Sequence, residues 1–164
     1  MKKYLFLLFG SIMLWSCATT TKQLTPIEMK IMTTKQFDSD YNMVFISAIS
    51  LLHSDGFLIS NTDKETGLIN ASRQIANENA GASKFLWGFA REASTTQVGF
   101  FIQAMNDSLT EVKLTVYEGS INSTVGDSGV ETQTTKNSLV QSPEVYNTWF
   151  NNLRAEIERR KALQ

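Results

Sequence analysis

TQVGFFIQAMNDSLTEVKLTVYE, residues 96–118, is the stretch that decides the fold. Val98, Phe100, Ile102 and Ala104 alternate with Gln97, Gly99 and Gln103. Asn106-Asp107-Ser108 is turn chemistry, because short polar side chains satisfy the backbone of a reversing chain. Beyond it Val112, Leu114 and Val116 alternate with Lys113, Thr115 and Tyr117. A period of two with one apolar face belongs to a half-buried strand. Two such runs around a polar turn predict an antiparallel hairpin, whose apolar face needs a second layer to cover it.

Two segments are suited to that role. After Asp38 or Ser39, either of which offers an N-cap, Tyr41, Val44, Phe45, Ala48, Leu51 and Leu52 fall at helical spacing, and Gly56 ends the run as a C′ residue. Ser142 followed by Pro143 starts a second helix, with Val145, Trp149, Leu153 and Ile157 on one stripe, Tyr146 and Phe150 beside it, and Arg154, Glu158, Arg159 and Lys161 toward water. Between the first helix and the hairpin, residues 57–61 and 68–74 read as two strands joined by a turn containing Gly67. Ile27, Met29 and Ile31 alternate with Glu28 and Lys30, which predicts a strand over residues 27–35. Residues 119–140 are rich in Ser, Thr, Gly and Asn and read as a long loop with one further strand near Val130–Thr135. The expected order is β-α-β-β-β-β-α, an α+β fold of two layers in which two helices cover an antiparallel sheet. Residues 27–164 form one domain, with an insertion at 75–95.

The N-terminus carries an address. Lys2 and Lys3 precede an apolar run from Tyr4 to Trp15, too short to span a bilayer of about 30 Å as a helix. It ends in Leu14-Trp15-Ser16-Cys17, and Cys17 is the only cysteine. The string resembles the lipobox of bacterial lipoproteins, with Trp15 where that family usually has a small residue. The resemblance implies a signal peptide of residues 1–16, cleavage before Cys17, and acylation of Cys17 as a membrane anchor. Residues 17–26 then serve as a Thr-rich tether ending at Pro26. Several acyl chains hold a protein on a bilayer stably where one does not. Ala18, where an Asp would resemble an inner-membrane retention signal, points to the outer membrane, and the absence of an acidic cluster after it points to a domain facing the periplasm.

VFISAISLLHSDGFLI (44–59), DKETGLINA (63–71) and PEVYNTWFNNL (143–153) together resemble a group of Gram-negative lipoprotein domains, the helix-grip modules of the lipoprotein C subunit of the β-barrel assembly machine. That resemblance implies a non-catalytic envelope lipoprotein. The chain departs from it at residues 75–95 and 119–140.

Composition excludes more than it proposes. The formal net charge is −1, which argues against nucleic acid as a partner and against polybasic adhesion to anionic lipid. His53 is the only histidine, and Cys17 is consumed by acylation, so a His-based triad and a zinc site both lack parts. His53 reads instead as the cation of a helix C-terminus. Asp63 and Glu65 form a carboxylate pair of a kind glycosidases use, yet they flank Lys64 in a polar turn; Asp107 and Asp127 are turn residues too. Asn106 and Asn122 head glycosylation-type triplets and are read as turns. No phosphate-binding or nucleophile-elbow motif occurs. The expectation is a protein that is no enzyme and needs no cofactor or metal.

Two places are suited to recognition. Phe85, Trp87 and Phe89 lie between Lys84 and Arg91; they are either a contact with an envelope protein or the bilayer interface, or a short helix folded back on the core edge. Tyr146, Trp149 and Phe150 mark the alternative, a cavity for a small hydrophobic ligand between the sheet and the C-terminal helix.

Overall fold

A computed structural model describes residues 24–80, 83–84, 89–126 and 128–163. The signal peptide, Cys17 and most of the tether lie outside the described residues, as do Phe85, Trp87 and Asp127. In chain order the elements are α1 (Pro26–Thr33), β1 (Thr34–Phe37), α2 (Tyr41–Ser54), β2 (Leu58–Asp63), β3 (Leu68–Ala76), β4 (Phe89–Asn106), β5 (Leu109–Val125), β6 (Glu131–Leu139) and α3 (Pro143–Lys161). The fold is α+β: an open six-stranded sheet, antiparallel at every pairing, with three helices.

The hairpin of β4 and β5 is the spine. Val98 pairs with Val116, Phe100 with Leu114 and Ile102 with Val112, and all six are buried. β3 adds to β4 and β2 to β3, while β1 and β6 share the other edge of β5. β1 takes residues 110–113 of β5 and β6 takes residues 117–125.

α2 and α3 cover the apolar face. Asp40 caps α2 by accepting from the Met43 N–H at 3.0 Å, directly after the two caps expected from the sequence, Asp38 and Ser39. Ser39 is instead buried in the approach to the helix, where its carbonyl accepts from the Thr110 hydroxyl at 2.8 Å. At the other end the Phe57 N–H reaches the Leu52 carbonyl and the Gly56 N–H reaches that of His53. With Gly56 at φ +75°, this is the paired C-terminal motif that a C′ glycine permits. In α3 the fully buried stripe is Tyr146, Phe150, Leu153 and Ile157. Val145 and Trp149, expected to lead it, are half-buried on its flank.

Residues 27–33 are helical, which corrects the strand expected there. Thr25 accepts from the Glu28 N–H while the Glu28 carboxylate accepts from the Thr25 N–H at 2.8 Å, and Pro26 occupies the first helical position. This reciprocal cap satisfies donors that a short alternating run leaves open. Ile27 and Ile31 consequently face solvent. The long loop expected at 119–140 is likewise corrected, since β5 continues to Val125, while the further strand expected near Val130–Thr135 is present as β6 and runs on to Leu139. Residues 75–76 and 89–95 are the extended ends of β3 and β4.

One ion cluster lies on α3 and meets α2 through the Ser50 hydroxyl. Glu156 in α3 accepts a bidentate bond from Arg159, both contacts at 2.7 Å, and a third from Arg160 at 3.0 Å. The Arg159 bond does most to hold the carboxyl at about 2, below its ordinary 4.5, with the Ser50 hydroxyl of α2 and Arg160 adding to it against desolvation. A depressed folded value contributes stability that is full above the unfolded value and is lost as pH falls toward 2. Arg159 is more than half exposed, so screening cuts the contribution to about 1 kcal/mol. Glu156→Gln is therefore expected to lower stability by that amount at neutral pH and to flatten its decline between about pH 4.5 and 2, as read by urea unfolding at a series of pH values.

Candidate functional site

Among the described residues, the second face of the sheet is open over its proximal half. Strand alternation sends Leu68, Asn70 and Ser72 of β3, Gln97, Gly99 and Phe101 of β4, and Lys113, Thr115 and Tyr117 of β5 to this face. Together they line a trough of about 720 Å³. Its floor is set by Gly99, where a Cβ would come within 3.2 Å of the Asn70 side-chain oxygen. The missing side chain leaves a hollow between the rings of Phe101 and Tyr117, which are 43% and 41% exposed. Lys113 stands beside Phe101 with no ion pair among the described residues. The trough thus offers two aromatic surfaces, several amide and hydroxyl groups and one uncommitted cation. Exposed aromatics beside hydrogen-bonding groups are of the kind enriched at recognition surfaces.

At the far end the same face is closed. Lys84 pairs with Glu92 of β4 at 2.7 Å and with Glu131 of β6 at 2.5 Å, and Gln133 donates to Glu92 at 3.0 Å. Glu131 and then Glu92 raise the Lys84 pKa, and the Lys84 bond does most to lower that of Glu92. Beneath this seam Ala90, Ala93 and Ser123 are buried. Lys84 is thus held against the distal end of this face, and among the described residues none of the connection between β3 and β4 lines the trough.

The structure separates the residues singled out from sequence. Phe89 is 60% exposed at the start of β4. Tyr146 and Phe150 are core residues, the Tyr146 hydroxyl donating to the Val140 carbonyl at 3.0 Å. Trp149 sets its ring edgewise against Phe57 and Phe100, with centroids 5.5 and 6.1 Å away. These rings occupy the space between sheet and α3. His53 is exposed in the last turn of α2. Asp63 organises its turn by accepting from the backbone of Glu65 and Thr66; the Thr66 side chain and these two N–H groups hold its carboxyl below the ordinary value. The Tyr41 hydroxyl donates to the Lys64 carbonyl and so pins that turn to α2.

The chain matches no protein-family model and no curated protein. Among the described residues no cluster of three or more His, Cys, Asp or Glu is placed to hold a metal, and no helix is long and apolar enough to cross a membrane.

Sequence reasoning missed the trough, although a signal for it was present. Phe101 is a large aromatic on the face that alternation assigns to water, directly between Phe100 and Ile102 of the core face. Its neighbours across the sheet, Leu68 and Lys113, become visible only through the register.

Proposed function

We propose that this protein is a lipid-anchored, non-catalytic lipoprotein of the outer membrane, facing the periplasm, that docks another envelope protein on the open face of its sheet. The observation that carries the docking half is the trough around Phe101: an aromatic-rimmed hollow that no described residue covers, on the face of the central hairpin opposite the one packed against α2 and α3. Solvent-facing aromatics beside polar groups and a free cation suit a partner that brings an apolar side chain flanked by hydrogen-bonding and acidic groups. The anchoring half rests on Leu14-Trp15-Ser16-Cys17. An extended chain spans at most about 3.3–3.6 Å per residue, so the tether after Cys17 holds the domain within a few nanometres of the bilayer. Two helices across one face of an antiparallel sheet also favour the helix-grip resemblance. Phe85, Trp87 and Phe89 are a second proposed contact, of which Phe89 is exposed at the start of β4 and is not part of the trough lining.

A small amphipathic ligand is the second reading, because the trough volume falls in the range of ligand pockets, roughly 300–1,000 Å³. Its open form disfavours that reading, since ligand pockets enclose most of their guest.

Native mass spectrometry of the full-length protein, gently extracted from its own membranes, tests both halves. The expected spectrum has the acyl mass on Cys17 and a stoichiometric protein adduct. Phe101→Asp is expected to reduce that adduct at least about tenfold, the effect of losing a central aromatic anchor, while leaving the acyl mass unchanged. An unmodified Cys17 removes the anchor from the proposal. An adduct indifferent to Phe101→Asp removes the trough.

A further inference from the structure

The three free edges of the sheet differ. β1 is only four residues long. β2 is interrupted by a bulge between Ile59 and Asn61. Both are short or distorted in the ways that keep sheet edges from pairing with other chains. β6 has neither protection. It runs nine residues against β5 without a register shift, contains no proline, and carries a single lysine, Lys136.

Its outward groups follow from the ladder. The Val140 N–H donates to the Val116 carbonyl at 2.9 Å and the Gly126 N–H to the Val130 carbonyl at 3.0 Å. Hydrogen-bonded pairs along this register therefore fall on the even residues of β6. The N–H and C=O groups of Glu131, Gln133, Thr135, Asn137 and Leu139 point away from β5, and β6 pairs with no other strand among the described residues. The strand is also held in place: a Cβ on Gly119 would lie 2.0 Å from the Asn137 side-chain oxygen and 2.4 Å from the Lys136 carbonyl. This is a pre-formed, regular template for one more strand.

We propose that β6 is a self-association edge, on which the β6 strand of a second copy of this chain adds antiparallel about a twofold axis at Thr135. That register brings the outward-bonding residues opposite one another, Glu131 to Leu139, Gln133 to Asn137 and Thr135 to its own counterpart. It sets Lys136 against Thr134, so no like charges meet. Moving the axis one residue to Lys136 would place two lysines face to face. Six of the nine side chains on offer are uncharged Thr, Ser, Gln or Asn, and the two charges, Glu131 and Lys136, are of opposite sign, which suits a partner of the same composition better than an acidic, basic or apolar strand. A twofold axis of this kind stands perpendicular to the sheet, so both troughs open to the same side. The start of α1 borders that same face, since Pro26 and Thr34 sit beside Phe101 and Lys113. Two chains anchored in one bilayer can therefore pair without either tether reversing. The inference does not depend on what binds the trough.

The test uses the full-length protein in detergent micelles, by sedimentation over protein concentrations from about 1 to about 100 µM, bracketing the micromolar affinity expected of a polar edge. The expected result is a monomer–dimer equilibrium. Thr135→Pro removes an outward N–H without touching the β5 ladder and is expected to weaken the dimer about a hundredfold or more. Thr135→Cys keeps the strand intact and is expected to crosslink under mild oxidation beyond the level of the unsubstituted protein. Directly opposed Cα atoms in a hydrogen-bonded antiparallel pair lie about 5.5 Å apart, within disulfide range. Thr132→Cys, six residues from its counterpart in this register, is expected to stay uncrosslinked. A monomer at every concentration overturns the proposal. So does a dimer that survives Thr135→Pro, or equal crosslinking through Thr132→Cys and Thr135→Cys.

Discussion

Phe100→Ala is expected to lower the free energy of unfolding by about 3–5 kcal/mol. Phe100 is 1% exposed, pairs with Leu114 across the central hairpin, and receives the edge of Trp149 from α3. Its ring is therefore where the sheet meets the covering helix. Truncation removes the transfer energy of a buried aromatic and leaves a cavity that two rigid layers cannot close. The measurement is urea unfolding followed by tryptophan emission. The midpoint should fall while the slope stays constant, since the surface exposed on unfolding hardly changes. A loss below about 1 kcal/mol, the range of an ordinary surface substitution, would mean that the interface is not packed as described.

Gly67→Ala should cost about 2–4 kcal/mol for a different reason. Gly67 sits at φ +76° in the turn between β2 and β3, a conformation that costs an L-residue about 1–2 kcal/mol. A Cβ there would also lie 1.9 Å from the Ile102 carbonyl oxygen, so the neighbouring strand must shift, adding an overpacking penalty of about 1–3 kcal/mol. The same contact is functional in the fold: the Ile102 N–H donates to the Gly67 carbonyl at 2.9 Å and locks the turn onto β4. Gly129, also at positive φ but with open space around it, is the matched control. Gly129→Ala keeps the dihedral cost and lacks the clash. The difference between the two midpoints measures the close approach alone.

Elements whose side chains carried a clear period were readable from the sequence. α2 shows its stripe and its terminal glycine, and the central hairpin shows its alternation, because in both the buried face is written in apolar residues. α1 was misread because Ile27, Met29 and Ile31 mimic a strand over a run too short to arbitrate. Thr25-Pro26-Ile27-Glu28 already held the opposing signal, and its cap decided the outcome. The distal halves of β4 and β5 and all of β6 are polar on both faces, so they left no hydrophobic pattern. Backbone pairing defines them. The trough was half-written: Phe101 was an anomaly within a regular pattern, but the hollow beside it needs Gly99 between Asn70 and Thr115, which only the pairing register supplies.

The claim that the open face receives a partner is tested most directly by a photoreactive side chain at Phe101 in the full-length protein, irradiated in its own membranes. A second protein carries the same group at Ile46, which is comparably exposed on α2, across the molecule from the trough. The account predicts a discrete, reproducible protein adduct from position 101 and none from position 46. No adduct at 101, or the same adducts from both positions, would contradict it.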